Sequence, residues 1–518
     1  MDGHRIRLSW KTLKARATPI VWVGTAICVL VGQPATRADE PRESAAAKVY
    51  LLESASGLMA ASGTGKFQGA RSCAATACHG GIEPDPRFPL SQRNEYSSWL
   101  DHDPHARAHR TLSNEKSRII LQRLARANET AEDRDRRLAN CFACHNPQPA
   151  QDRQAATYYS REGVSCEICH GASEQWIGAH VVADWGVQKK TDRQAWRART
   201  RELGYVDTED LTIRGKTCAQ CHVGSPDREV NHDLIAAGHP VLKFELAAYH
   251  ELLPKHWRAN RERERVAQFE TALWSAGQIA AADAALSLLE WRAKPSTTKH
   301  PDAAWPELAE YDCFACHHDL EDPSWRRQRT VAGQQLGTSE WGSWYFGPLR
   351  QMNDATGEVA QKLTTLTEQM REGFGNDRQK VQQAVAAART QLDRWSSHES
   401  VDVAATMRRA LDKLVLDHEQ PQTSIRAQPA GWDEAVQLFL AIVAMDRANG
   451  AIESNAIDAT RELFSFPATY DSPYGFFGQR PPGTLLGGPP TTKQHQKSRQ
   501  QIVAALVELI QQLKHTGN

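Results

Sequence analysis

The chain is 518 residues long, 40% hydrophobic and 24% charged, with 62 basic side chains against 62 acidic ones. Balanced charge excludes a bulk nucleic-acid binder, which would carry a basic excess, and the hydrophobic fraction excludes a disordered chain. The length allows two to four domains, or one large body with an appendage. The 11 cysteines are too few for a disulfide mini-scaffold and too clustered for scattered core thiols.

At the start, Arg5, Arg7, Lys11, Lys14 and Arg16 stand against the single acid Asp2. An apolar run of 14 residues follows, Pro19–Gly32, too short to span a bilayer. Thr36-Arg37-Ala38 then offers small residues where a signal peptidase reads. The pattern predicts a secretory signal over 1–38 and a periplasmic destination; left uncleaved, it would be a membrane anchor. Cleavage removes Cys28 and leaves 56 basic residues against 61 acidic. Residues 39–68 are small and polar, and read as a flexible lead-in.

The ten remaining cysteines form five pairs. Four read C-x-x-C-H: Cys141/Cys144/His145, Cys166/Cys169/His170, Cys218/Cys221/His222 and Cys313/Cys316/His317. The fifth is wider, Cys73-AATA-Cys78-His79. Composition alone predicts about 0.01 chance occurrences of C-x-x-C-H. The spacing suits haem attachment: two thiols add to the vinyl groups, and the adjacent histidine becomes the proximal ligand of the iron. A zinc site would not need a histidine after every second cysteine. An exported C-x4-C could instead close a small disulfide loop. The expected cofactor is five haems c, whose propionates make the protein more acidic and call for arginine partners.

A second histidine on the far side of an iron gives an electron-transfer centre, whereas an open position admits substrate. Beyond the motif histidines, residues 73–318 hold His102, His105, His109, His180, His232, His239, His250, His256, His300 and His318. His105 and His109 share a face if the chain is helical after Pro104. The reading takes His105, His180, His232 and His239 as distal ligands, with His109 a further candidate. His318 adjoins a proximal ligand and could serve another haem or a propionate. His250, His256 and His300 read as ordinary histidines. Helices are expected at 94–127 and 260–293.

After Cys316 there is no further cysteine and the period is helical, at about 353–373, 377–396, 400–417, 431–448, 454–465 and 492–514. Asp377 and Ser400 suit N-caps. The Pro/Gly-rich stretch 467–490 carries Tyr470, Tyr474, Phe476 and Phe477, and reads as an ordered loop. The expected fold is mainly α: a multihaem body with little sheet over 69–350, then a C-terminal helical bundle over 351–518.

GVSCEICHG with His180 downstream, the W-x5-H-A stretch around Trp99 and His105, CHVG…NHDLIAAGHP and CFACHHDL together resemble the multihaem cytochromes of the cytochrome c-554 type, whose haem packing is related to hydroxylamine oxidoreductase. The resemblance covers roughly 70–350. It implies a helical protein with haems stacked in close pairs, and His105, His180, His232 and His239 in distal positions. The tetrahaem relative has one motif fewer, so the pairings do not carry over as a set.

The expected function is periplasmic electron transfer through five haems, most of them bis-histidine ligated. Redox proteins are the expected partners, with a membrane-associated quinol or reductase complex among them, and no nucleic acid. The alternative is an oxidoreductase with one five-coordinate haem acting on a small nitrogen or sulfur oxyanion or oxide, its pocket drawn from His102, Arg107, Arg110 or Tyr249. All five motifs end in histidine, which disfavours a nitrite reductase using lysine at the catalytic haem. No catalytic residue is assigned.

Overall fold

In the computed structural model the described residues are 64–88, 91–226, 228–295, 305–312, 316, 339, 341–352, 357–375, 377–397, 408–409, 411–412, 432–450, 452–464 and 499–515. All fall within one unit, Ser44–Asn518. The expected leader, most of the lead-in, Cys313, His317, His300, His318, Ser400 and the loop at 467–490 lie outside these residues.

The fold is mainly α, as the periodicity predicts. Among the described residues extended pairing is limited to isolated bridges, Phe67 with Gln154, Ser225 with Arg228, and Tyr311 with Trp341. The first half is made of short helices: α1 (Glu95–His102), α2 (Glu115–Leu124), α3 (Ala131–His145), α4 (Cys166–His170), α5 (Ala183–Thr191), α6 (Arg193–Glu202), α7 (Leu211–His222), α8 (His232–Ala237) and α9 (Leu246–Leu252). Side-chain caps start several of them. Thr130 and Asp133 form a reciprocal capping box on α3, Asp210 caps α7, Asn231 caps α8 and Glu245 caps α9.

The helix expected over 94–127 is broken. Asp103 leaves the helical region and accepts from His105 N, Pro104 opens a 3-10 turn, and Asn114 caps a new start. The helix expected over 260–293 is also divided. A short turn at Asn260–Arg265 ends before Gln268, which is left-handed, and α10 (Phe269–Arg292) follows.

Longer helices make up the second half: α11 (Ser343–Met352), α12 (Glu358–Arg371), α13 (Arg378–Ser397), α14 (Trp432–Asn449), α15 (Ser454–Leu463) and α16 (Arg499–His515). Asp377 caps α13 by accepting from Lys380 N at 3.1 Å. The expected helix at 400–417 is described only at 408–409 and 411–412, both helical.

α10 is the hub, packing against α7, α9, α11, α13 and α14. It is long and apolar enough to cross a membrane, but 72% of its most apolar stretch is buried in the protein. Close approach depends on small residues. A Cβ at Gly215 would stand 2.9 Å from Ala280 Cβ, and one at Gly277 would run into Leu246. One apolar cluster runs from Val223 and Phe244 through Leu273 and Leu286 to Leu366, Ile442 and Leu506, on both sides of residue 350. Around the first motifs the apolar clusters are small, Phe67/Ile168/Ala172 and Ala70/Trp99/Ala106.

Leu286 is fully buried in the large cluster. Leu286→Ala should cost about 2–5 kcal/mol of unfolding free energy in a denaturant titration of the haem-loaded protein. Burial pushes the Glu245 carboxyl up to about 7 from its ordinary 4.5, against hydrogen bonds from Ala247 and Ala248. The folded chain therefore keeps a proton that the unfolded chain releases. Its stabilising contribution is complete below pH 4.5 and is lost as pH rises through about 7. Glu245→Gln should flatten that part of the stability–pH curve.

Candidate haem-binding site

Three of the motifs close helices. Cys141 and Cys144 end α3, Cys166 and Cys169 lie in α4, and Cys218 and Cys221 end α7. A spacing of three on a helix puts both thiols on one face, and the following histidine turns off the helix end. The wider motif cannot do this. Cys73 ends a 3-10 turn, Ala75–Ala77 bulge into solvent, and His79 N returns to the Cys73 carbonyl at 3.3 Å. Cys73 and Cys78 are free thiols, not a disulfide loop. Cys316 is exposed.

Each of the four described motif histidines faces a histidine from elsewhere in the chain. Ring centroids are 6.1 Å apart for His79 and His180, 6.3 Å for His145 and His239, 6.4 Å for His170 and His256, and 6.0 Å for His222 and His105. The first pair has planes within 13°, and the other three lie at 77°, 84° and 81°.

A histidine nitrogen sits about 2 Å from a metal it ligates and the ring centroid about 1 Å farther, so two imidazoles across one ion have centroids about 6 Å apart. The pairs have that spacing. Among the described residues no group of three or more His, Cys, Asp or Glu side chains could hold an ion by itself. Pairs suffice only where a macrocycle supplies the remaining ligands, so the residues fit haem and not zinc.

Other neighbours fit as well. Trp176 packs on His180 at 5.4 Å, and its Nε1 is buried without a hydrogen-bond partner. Arg258, two residues after His256, has a buried Nε in the same state. Orphaned donors of this kind suit a propionate. Phe244 stacks on His222 at 5.6 Å, and Tyr205 on His170 at 6.3 Å. Ile82, Val181 and Val182, beside His79 and His180 in sequence, are exposed in the chain alone.

Burial pushes His170 down to about 4, His222 to about 3 and His239 to about 4, and it also lowers His145, His180 and His256. Neutral imidazole is the form that ligates a metal. His79 and His105 differ. The Glu95 carboxylate raises His79 from 2.9 Å at Nδ1. Burial pulls His105 down, but Asp103, at 2.9 Å from its Nδ1, outweighs it. The other Nδ1 partners are neutral: Thr111 Oγ1 for His145, Ile177 O for His180 and Pro240 O for His239.

Thiols of different motifs also meet. Cys73 lies beside Cys166, and Cys144 beside Cys221. Cys169 lies close enough to Cys218 to feel its charge.

His105, His180 and His239 thus stand opposite motif histidines. His232 opens α8, and its backbone N donates to Glu307 at 2.8 Å, in the segment that leads to Cys313. His109 has a buried Nδ1 without a hydrogen-bond partner and no described ring contact with a motif histidine. His102 and Arg110 are exposed, Arg107 donates to the Asp101 carbonyl at 2.9 Å, and Tyr249 packs on His222 at 4.9 Å. His250 pairs with Glu262 at 3.3 Å in the core. Sequence reasoning passed over His256. Its available signal was LPKHWR, a histidine between Pro254 and Trp257 in a short apolar turn.

Residues 72–171 match the family described as cytochrome c554 and c-prime. The match supports a c-type cytochrome. It spans the first three motifs together with His105, and it implies haem c as cofactor and electron transport as activity. No curated protein and no solved structure matches the chain.

Gly163 is left-handed (φ +68°), and a Cβ there would run into the His105 carbonyl, which accepts from Val164 N at 3.0 Å. Gly163→Ala should cost about 1–3 kcal/mol, read as a lower unfolding midpoint of the haem-loaded protein.

Proposed function

We propose that the protein is an exported pentahaem cytochrome c that relays electrons, with its haems held by histidine pairs. The observation that carries this reading is the facing of four motif histidines by four others at 6.0–6.4 Å. The pairs are His79 with His180, His145 with His239, His170 with His256 and His222 with His105. For the fifth haem, at Cys313, Cys316 and His317, the distal ligand would be His232, because α8 is tied to the segment just before Cys313.

Bound haem supplies one-electron chemistry at its iron. The chain contributes the rest. Cysteines fix each site, paired imidazoles deny substrate a coordination position, and the surrounding aromatic rings keep water away. The thiol contacts support an electron path in which the first motif neighbours the third, the third the fourth, and the fourth the second. The reading calls for periplasmic redox proteins as partners, with a membrane-associated quinol or reductase complex as donor or acceptor. An oxidoreductase acting on a nitrogen or sulfur oxyanion would need an iron with a single histidine, which the fifth motif would offer only without His232 as its distal ligand.

Mass spectrometry of the exported protein should count five haems; four would remove the Cys73/Cys78 site. In the oxidised protein His180→Ala and His256→Ala should each turn one haem high-spin by magnetic circular dichroism. An unchanged spectrum for either would end that assignment. Near-perpendicular ligand planes leave the iron d orbitals close to degenerate. The His145, His170 and His222 sites should therefore give strongly anisotropic low-spin EPR signals, and the His79 site an ordinary rhombic one.

A further inference from the structure

Among the paired histidines five have a hydrogen-bond partner on Nδ1, and the partners are of two kinds: Glu95 and Asp103 are carboxylates, while Thr111, Ile177 and Pro240 offer a hydroxyl or a carbonyl. Both carboxylates are well anchored. Glu95 also accepts from Ser91 Oγ at 2.7 Å and Gln92 N at 2.5 Å. Asp103 is 3% exposed and also accepts from His105 N at 2.9 Å. Each carboxylate accepts from Nδ1 of its histidine, which fixes the tautomer with the proton on Nδ1 and leaves the Nε2 lone pair bare.

We propose that Glu95 and Asp103 are positioning residues that lower the reduction potentials of two particular haems, those paired by His79/His180 and by His222/His105. This rests on the ligand pairs given above. An anion on the far nitrogen makes the imidazole more basic and places negative charge one ring from the iron. Taking up an electron at that centre removes a positive charge the carboxylate stabilises, so the oxidised state is favoured. The low local dielectric strengthens the effect for Asp103, the more buried of the two. At the His145/His239 centre the partners are Thr111 Oγ1 and the Pro240 carbonyl, and His256 Nδ1 is buried with none. The His145/His239 centre lacks the anion and should be easier to reduce, whereas His256 has no carboxylate on its Nδ1 but lies near enough to Asp103 and Glu95 to feel their charge.

The test is a spectroelectrochemical titration of the haem-loaded full chain with Glu95→Gln and Asp103→Asn. Each amide removes the charge and keeps one acceptor oxygen, enough for both His105 contacts on Asp103 Oδ1, while at Glu95 the amide NH2 replaces one of two accepting oxygens. The expected result is an unchanged low-spin spectrum with one midpoint shifted upward in each variant, a different haem in the two, and both shifts in the double variant. Glu95→Asp and Asp103→Glu, which restore the charge, should return the midpoints toward the starting values. Unmoved midpoints with intact low-spin spectra would overturn the inference and leave the ligand pairs standing. Loss of a low-spin haem in both amide variants would also overturn it, since the carboxylates would then be structural supports. Failure of the ligand pairs themselves would show separately, as unchanged spectra in His79→Ala and His105→Ala.

Discussion

Four imidazole pairs hold their ring centroids 6.0–6.4 Å apart, the spacing of two ligands on one metal ion. That constraint governs the first half of this protein. Each pair joins segments remote in the chain, His79 to His180 and His105 to His222, where few aliphatic contacts exist to do so. The apolar clusters near the first motifs are small, and a bound macrocycle would add apolar mass there. Among the short helices, α3 and α7 run from a side-chain cap to a thiol pair and stop there.

The second half obeys the ordinary rule. α10 buries small residues against α7 and α9 on one side and large ones against α13 and α14 on the other. At its end Arg292 is 4% exposed and binds Glu229 at 2.8 Å and Glu310 at 2.6 Å, tying the motif-bearing half to the segment before Cys313. Tyr311 donates to the Met370 carbonyl at 2.8 Å and Trp305 to that of Gly375 at 2.8 Å, so the same segment is seated on α12 and its end. A buried arginine left without its acids would be costly, which makes this junction a fixed joint.

The attachment motifs were legible because their chemistry is local: two thiols and a histidine within five residues. The helical period of the second half was legible for the same reason, and α13, α14 and α15 fall within a residue or two of the expected bounds. Distal histidines are set by tertiary approach, which leaves no spacing to read. His256 shows the limit, since nothing in LPKHWR distinguishes it from His250 six residues earlier, yet one faces His170 and the other pairs with Glu262. The breaks at Asp103 and Gln268 were missed because apolar periodicity continues across them, while Asp103 bonds its neighbours and Gln268 turns left-handed.

The order of the histidine pairs along the chain bears on how such a protein comes to exist. A polypeptide threaded outward from its N-terminus presents His79, His145 and His170 before His180, His239 and His256 have emerged. On the proposed pairing the His222 site meets a partner, His105, that is already outside, and so does the fifth site, with His232. If the chain is exported and paired as proposed, three sites spend part of their birth half-built and open to passing ligands, while the two later ones close at once.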